Sequence, residues 1–383
     1  MTKTSMSNLP NELVEEILSR VPLKPVRLTC RNWNGLCKSQ SFRMLHIGRL
    51  SAAMKEGETQ MIAMIGDSRF LVWNPYLGQT RWIKPRISHS SFSYALGYED
   101  KKKGKSCRSV KLLRYKDCYD YNEPQNDFFW YEIYDFDSDL WTTLDVVTPT
   151  CFKTSWGHVS IKGNTYWCAE ERNSHAEGII CFDFTRERYG PLLPLPFSAD
   201  PGDYVSLSCV REEKLAVLLQ HNESNPYELD IWITTKIEAQ KVSWSKFLRM
   251  DMGPDYDMFV PLIQIHGSFF IDEEKKVAMG VNEENPLKFV IIGEAKYVRE
   301  LDLLEDPNPV DPKQKPRLCS YVPSLQQIRE PAGGEGKRSR RESNLEKRRY
   351  DENRSRLAAF RERARIREKN RMIRLRSMLG NNA

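Results

Sequence analysis

The sequence lacks any long hydrophobic run. Its longest apolar stretches, such as residues 215–219 and 289–292, are of strand length, whereas a membrane-spanning helix needs about 20 apolar residues. The N-terminal segment MTKTSMSNLPNEL also lacks the apolar core of a secretory signal. We therefore expect neither a membrane-spanning segment nor secretion.

Paired cysteines are absent as well. The nine cysteines are scattered, odd in number and never spaced as CxxC, and the six histidines are equally scattered. This pattern fits neither a disulfide framework nor a zinc site. We expect reduced thiols in the cytosol or nucleus, with no metal and no cofactor.

Most of the chain has no net positive charge, and the excess of Lys and Arg over Asp and Glu is concentrated at its end. The net charge is +6 over 383 residues, but residues 331–383 contain 17 Lys/Arg against 7 Asp/Glu. The first 330 residues contain 41 Lys/Arg against 45 Asp/Glu. A mildly acidic body therefore carries a strongly basic tail.

Residues 1–50 predict a small all-α module. Pro10 suits the first position of a helix, and Pro22 ends that helix. A second helix can begin at Pro25. Its apolar face and that of the first helix contain Leu13, Val14, Ile17, Leu18, Val21, Val26, Cys30 and Trp33. Two helices this short cannot bury both of their apolar faces against each other. We therefore expect them to pack on the following domain or to dock on a partner.

Residues 60–328 predict an all-β domain. Short aromatic and β-branched runs alternate with turn residues, and several are followed by a second aromatic strand. Markers at Trp73, Asp135, Asp183, Trp232 and Ile291 are separated by 62, 48, 49 and 59 residues. A period near 50 residues favours a kelch-like propeller of five to seven four-stranded blades, with a stack of sandwiches as the alternative. We expect the tryptophans of this region to pack between blades.

No catalytic group emerges from the motifs. Asp135, Asp137 and Asp139 alternate like metal ligands, but a calcium loop starting there would need glycine and glutamate where Leu140 and Val146 stand. A hairpin turn is the better prediction. We expect a non-catalytic protein.

The N-terminal motif LPxELVxEILSRVP, followed by RLTCRxW, resembles an F-box. The resemblance implies binding to a Skp-type adaptor and, through it, to a cullin-based ubiquitin ligase. Carried over by position, the adaptor-binding residues are Leu9, Pro10, Leu13, Ile17, Leu18, Val21, Cys30 and Trp33. The family usually places its tryptophan about three residues further from the proline, which corresponds to about 4.5 Å of helix and a rotation of roughly 60°. This departure puts the strength of adaptor binding in question.

The central region resembles the type 1 F-box-associated interaction domain of a large plant family. The resemblance rests on VWNP with TRW, ALGY, YDFxSxxW, GNTYW, CFDFxxER and CSYVxSL, which occur in the family's order. It implies that this domain recruits the protein to be ubiquitinated, whose identity the sequence does not reveal. Alternative functions are a propeller enzyme or a carbohydrate-binding module.

The tail, residues 331–383, predicts a basic extension that is helical or disordered. From residue 353 to 379 helix formers dominate without Gly or Pro, and Leu357, Phe360 and Ala364 share one side. Three interpretations stay open: a solvated extension, nucleic-acid binding without a base-reading motif, and a nuclear-import signal. The import signal would consist of Lys337, Arg338, Arg340, Arg341, Lys347, Arg348 and Arg349. We accordingly expect the protein in the nucleus and the cytoplasm.

Overall fold

The computed structural model is mostly β-sheet with one long C-terminal helix. It describes residues 61–65, 69–74, 79–87, 92–100, 108–118, 127–146, 150–152, 158–171, 174, 176–200, 203–210, 213–221, 228–251, 269–281, 288–294, 297–302 and 344–380. The predicted N-terminal module and the late strand predicted near residue 320 lie outside these residues.

The strands are numbered in chain order, and the helix is α1 (Asn344–Gly380). They are β1 (Met61–Ile65), β2 (Arg69–Asn74), β3 (Gln79–Ile83), β4 (Ser93–Asp100), β5 (Arg108–Cys118), β6 (Phe128–Asp135), β7 (Leu140–Thr143), β8 (Thr150–Phe152), β9 (His158–Ile161), β10 (Asn164–Glu171), β11 (Glu177–Asp183), β12 (Arg188–Tyr189), β13 (Leu193–Pro194), β14 (Tyr204–Val210), β15 (Lys214–Gln220), β16 (Glu228–Glu238), β17 (Lys241–Asp251), β18 (Phe270–Asp272), β19 (Val277–Val281), β20 (Lys288–Gly293) and β21 (Tyr297–Asp302).

The strands form five antiparallel sheets that follow one another along the chain. Sheet 1 contains β1–β3, sheet 2 contains β4–β7, sheet 4 contains β14–β17 and sheet 5 contains β18–β21, each in sequential order. Sheet 3 has the order β12-β11-β10-β8, with β13 also paired to β11 and β9 to β10. The five sequence markers fall in β2, β6, β11, β16 and β20, one in each sheet. The predicted β-rich domain and its repeat are therefore confirmed over the described residues.

Each sheet shares a core with the next sheet in the chain. In β15, Leu215, Val217 and Leu219 pack toward sheet 3, while Ala216 and Leu218 pack toward sheet 5. Side chains alternate between the two faces of a strand, so a strand buried on both faces has a continuous apolar run rather than an alternating one. The described residues contain no such core cluster between sheet 5 and sheet 1.

Three hairpins use the same turn chemistry. Oδ1 of Asp135 accepts hydrogen bonds from the backbone N–H groups of residues 137 and 138, and the turn ends at Asp139 with φ 59°. Asp183 and Asp272 accept equivalent bonds, and their turns end at Glu187 and Lys276 with φ 52°. Such side-chain acceptors stabilise tight turns. The prediction of a hairpin turn at residues 135–139 is confirmed.

Two glycines allow sheets 2 and 3 to approach closely. The N–H of Tyr98 donates to the carbonyl of Gly163 over 3.1 Å. A Cβ on Gly97 would overlap the ring of Phe184 and the carbonyl of Gly163, and Gly163 itself has φ 82°. The motifs ALGY and GNTYW, which contain Gly97 and Gly163, therefore contribute to the contact between sheets 2 and 3.

The tryptophans divide into three groups. Trp130, Trp167 and Trp232 are buried, but only Trp167 and Trp232 lie between sheets as predicted, because Trp130 packs under α1. Trp141 and Trp244 are half-buried. The prediction is wrong for Trp73 and Trp82, which are 37% and 49% exposed. Both lie on the face of sheet 1 opposite Phe70, Val72 and Ile83, which pack on sheet 2.

The tail is helical over Asn344–Gly380, nine residues earlier at its start than the composition predicted. Leu357 is buried and Phe360 half-buried, whereas Ile366 and Ile373 are exposed. No described helical segment is long and apolar enough to cross a membrane.

Candidate functional site

One face of sheet 2 is covered by two different elements. Phe128, Trp130, Glu132 and Tyr134 alternate along β6 and therefore share a face. Tyr134 packs against sheet 1, but Phe128 and Trp130 form a cluster with Leu357 of α1. The helix thus covers the half of the face that sheet 1 leaves open.

Aromatic contacts hold the first half of α1 on this face. The rings of Tyr350 and Trp130 are 5.8 Å apart, and those of Phe360 and Phe128 are 5.2 Å apart. Leu357, between them on the helix, is only 2% exposed. Residues 350, 357 and 360 are separated by seven and three positions, which places them on one face of the helix.

A fully buried ion pair lies beneath the helix. Nη1 of Arg114 donates to Oε2 of Glu132 over 2.8 Å, and both side chains are 0% exposed. Nη2 of Arg114 donates to the carbonyl of Ile87 over 2.6 Å, and its guanidinium lies 3.8 Å from the ring centroid of Phe92. Burial raises the pKa of Glu132, while Arg114 and Arg86 partly oppose that shift.

Glu346 of the helix extends this pair into a network. Nη1 of Arg86 donates to Oε1 of Glu346 over 2.8 Å and lies 3.6 Å from Oε1 of Glu132. Oε1 of Glu346 also accepts the backbone N–H of Thr143 over 2.8 Å. The helix therefore contributes the second carboxylate that balances Arg86 and Arg114.

A cavity of about 400 Å³ opens beside this network. Its lining combines three arginines with apolar surface: Arg86, Ile87, Tyr350, Arg354, Leu357, Ala358 and Arg361. A lining that combines cations with the aromatic ring of Tyr350 and apolar side chains has the composition of an interaction surface.

The predicted site residues fall into two groups. The adaptor-binding residues lie outside the described residues, as do Lys337, Arg338, Arg340 and Arg341 of the predicted import signal. The second basic cluster lies in the first turns of α1, where Lys347 and Arg348 are exposed. Arg349 pairs with Asp145 of sheet 2 over 2.8 Å.

Sequence analysis missed the network of Arg86, Arg114, Glu132 and Glu346. One signal was available, because Glu132 interrupts the apolar run of β6 and Arg114 interrupts that of β5. Opposed charges in two neighbouring buried strands indicate a buried pair, since isolated buried charges are costly. Nothing in the sequence indicated that residue 346 would reach them.

Three potential metal ligands lie together outside this surface. Ligand atoms of Asp200, Asp203 and His221 are within 4.8 Å of one another. Asp203, however, already accepts the backbone N–H of Asp200 over 3.0 Å and contacts Nδ1 of His221 over 2.9 Å. These contacts explain the cluster without a metal, because they hold the connection between β13 and β14 in place.

Cys118 and Cys181 do not have the properties of reactive nucleophiles. Burial raises the pKa of Cys181 to about 12 and also raises that of Cys118. Thiol chemistry requires the thiolate, which a lowered pKa favours.

Comparison with known proteins places the chain in a defined class. The F-box domain family matches residues 6–45, and the F-box associated beta propeller domain family matches residues 60–328. Both are non-catalytic, adaptor-type domains. The chain belongs to the family of F-box proteins with an F-box-associated domain.

Relatives from Arabidopsis thaliana match over most of the chain. F-box protein At2g38590 is 47% identical over 93% of this chain and 98% of its own length. F-box/kelch-repeat protein At4g33290 is 46% identical over 91% of this chain and 95% of its own length. A protein named Peroxiredoxin-2A is 42% identical over 88% of this chain, and the match covers 71% of that protein.

Proposed function

We propose that this protein is the substrate-recognition subunit of a Skp–cullin–F-box ubiquitin ligase. The observation that carries the proposal is the order of the two modules, an F-box at residues 6–45 followed by an F-box-associated domain at 60–328. The first would bind the adaptor, and the second would hold the target protein.

In this function the chain performs no bond chemistry. A target lysine held beside a charged ubiquitin-conjugating enzyme reacts at high effective concentration, so positioning alone accelerates transfer. The chain's task is then to keep two binding surfaces at a fixed separation. A β domain in which each sheet packs on the next suits that task, because it is rigid along its length.

The adaptor surface is proposed to consist of Leu9, Pro10, Leu13, Ile17, Leu18 and Val21 with Cys30 and Trp33. Trp33 lies 11 residues after Pro22, so the second helix would meet the adaptor with a shifted face. We expect this shift to weaken adaptor binding without abolishing it.

A pull-down with a purified plant Skp-type adaptor tests the proposal. The full chain should capture the adaptor, and Leu9→Ala/Pro10→Ala should lose capture. Trp73→Ala/Trp82→Ala, which changes exposed side chains of sheet 1, is the matched control and should bind normally. If the full chain captures no adaptor while another F-box protein does, the ligase function is wrong.

We further propose that the five sheets are blades of a propeller. Support comes from four sheet-to-sheet cores in chain order and from the description of the matching family. Small-angle scattering should give the compact profile of a closed ring. An elongated profile would instead favour a stack of sheets.

The basic clusters support a proposal of nuclear entry alongside a cytoplasmic pool. In plant cells, a fluorescent fusion with alanine at Lys337, Arg338, Arg340 and Arg341 should shift toward the cytoplasm. An unchanged distribution would show that these residues are not an import signal.

A further inference from the structure

The helix α1 has an anchored half and an exposed half. The contacts that the structure shows between α1 and the sheets fall between Glu346 and Arg361. From Arg361 to Arg374 every residue is exposed except Ala364, which is half-buried. This distal segment, residues 361–374, contains seven Lys/Arg against two Glu.

The distal cations form two stripes. Arg361, Arg365 and Lys369 recur every four residues on one side of the helix. Arg363, Arg367 and Arg371 recur in the same way on another side. At about 100° per residue, positions two apart are separated by roughly 200°, so the stripes lie on nearly opposite flanks of the helix.

The face between the stripes points away from the β domain. Tyr350, Leu357 and Phe360 fix the side of α1 that faces sheet 2. Ile366 and Ile373 lie roughly opposite that side by helical periodicity, and they are 49% and 55% exposed. The outward face therefore has Ile366 and Ile373 near its centre and cations along both edges, and it also contains Glu362, one turn before Ile366.

Within residues 361–374 the cations outnumber the carboxylates by five, seven Lys/Arg against two Glu. Arg365 lies 3.9 Å from Glu362 and Arg371 lies 3.9 Å from Glu368. Exposed pairs at this distance contribute little. Two carboxylates cannot neutralise seven cations, so a polyanion is the matching partner.

The position of the two cationic stripes on opposite flanks of the helix favours some polyanions over others. A helix that lies on a membrane needs one broad apolar face with its cations on the other, whereas these cations flank a narrow apolar strip. The major groove of B-DNA is about 12 Å wide and admits one α-helix, with a phosphate backbone on each side. The deep, narrow major groove of duplex RNA does not admit a helix in this way.

We propose that the distal segment of α1 binds duplex DNA in the major groove, with one arginine stripe on each phosphate backbone. This activity is independent of the proposed ligase function. The binding is mainly electrostatic and insensitive to sequence, because Glu362 and Asn370 are the two outward-facing side chains of the segment that could read a base edge.

Fluorescence anisotropy with the full chain and a labelled 20-base-pair DNA duplex tests the proposal. Binding with Kd of roughly 10⁻⁴–10⁻⁶ M near physiological salt is expected, falling steeply as salt rises. Arg363→Gln/Arg367→Gln/Arg371→Gln should weaken binding about tenfold or more and reduce the slope of log K against log salt by about two to three. Glutamine is a good helix former, and circular dichroism verifies that the helix is retained.

The matched control replaces three exposed cations of the β domain, Arg249, Lys275 and Lys276, with glutamine. It should bind DNA like the unaltered chain. Glu362→Gln removes an anion from the basic segment and should tighten binding about twofold. Leu9→Ala/Pro10→Ala should leave DNA binding unchanged, which separates this proposal from adaptor binding.

Three results would overturn the proposal. The stripe variant could bind DNA as tightly as the control variant. Duplex RNA could bind more tightly than DNA. Phosphatidylserine vesicles could bind more tightly than DNA and lose binding in the same stripe variant, which would assign the segment to a membrane surface.

Discussion

Arg114 in sheet 2 and Arg363 in the distal half of α1 carry the same side chain in opposite environments. Arg114 is 0% exposed, donates to Glu132 and stacks on Phe92. Arg363 is exposed on a segment with too few carboxylates to balance it. The β domain uses arginine to join strands and loops, whereas the distal half of the helix holds its arginines at the solvent-exposed surface.

The difference shows why the net charge of this chain says little about its function. Buried cations such as Arg81, Lys111 and Arg114 are matched by carboxylates and carbonyls within hydrogen-bonding distance. Their contribution is to stability and geometry. Only exposed, unmatched charge creates a field that attracts an anionic partner.

The largest expected effect comes from breaking the buried pair. Arg114→Leu removes the hydrogen-bonded partner of buried Glu132 and leaves only Arg86, 3.6 Å away, so it should lower the free energy of unfolding by about 3 kcal/mol. Urea unfolding of the full chain, followed by tryptophan fluorescence, measures it. Arg114→Leu/Glu132→Leu should recover most of the loss, because no lone charge remains.

The cross-strand pair of Arg249 and Glu228 in sheet 4 is the exposed equivalent of the buried pair of Arg114 and Glu132. Arg249→Leu should change the free energy of unfolding far less than Arg114→Leu does, because exposed pairs contribute little to stability. Equal losses for Arg114→Leu and Arg249→Leu would contradict the distinction between buried and exposed arginine.

The two halves of α1 provide the next comparison. Leu357 packs with Phe92, Phe128 and Trp130, so Leu357→Ala should weaken docking of the helix by about 2–4 kcal/mol. Hydrogen exchange in α1 should accelerate accordingly. Ile366→Ala, at an exposed position of the same helix, should change stability by no more than about 0.5 kcal/mol. Unchanged exchange in Leu357→Ala would mean that α1 is not held on sheet 2 by this contact.

The repeating hairpins could be predicted from sequence because the signals are local. The turn at 135–139 follows from Asp135 and its neighbours, and second strands such as β3 and β7 follow from aromatic runs after a turn. Five units could be counted from the markers alone.

The buried network could not be predicted, because its members are distant in sequence. Arg86 and Glu346 are 260 positions apart, and their meeting depends on how α1 lies on sheet 2. The prediction that Trp73 and Trp82 are buried was wrong for a related reason. A strand pattern identifies the two faces of a strand, but it does not show which face another sheet will cover.

A glycine at the contact between sheets gives a smaller effect. A Cβ on Gly97 would overlap the Phe184 ring and the carbonyl of Gly163. Gly97→Ala should therefore cost about 1–3 kcal/mol through overpacking, measured by urea unfolding. Thr142→Ala, at an exposed position of β7, is the control and should be nearly neutral. Loss of less than 0.5 kcal/mol in Gly97→Ala (about the value for a surface change) would show that the two sheets can separate there.

The smallest expected change in stability is at Asp272, whose carboxylate we compare with that of buried Glu132. Burial raises the pKa of Glu132, whereas backbone N–H groups of Lys275 and Glu274 lower the pKa of Asp272 from 3.8 against a small opposing effect of burial. A lowered folded-state pKa stabilises the fold above the ordinary value and loses that contribution as pH falls through the lowered one. Asp272→Asn keeps an acceptor but loses the charge, so it should cost about 0.5–1 kcal/mol at pH 7.

At a pH near 2 that difference should be smaller, because a larger fraction of the wild-type carboxyl is then protonated as well. Urea unfolding at the two pH values measures the change, and Glu213→Gln, in another exposed turn, should be neutral at both. If Asp272→Asn is equally destabilised at both pH values, the side chain supports its turn through geometry rather than charge. The exposed carboxylates of this domain would then resemble its buried ones in being structural, and only the cations of α1 would act through their charge.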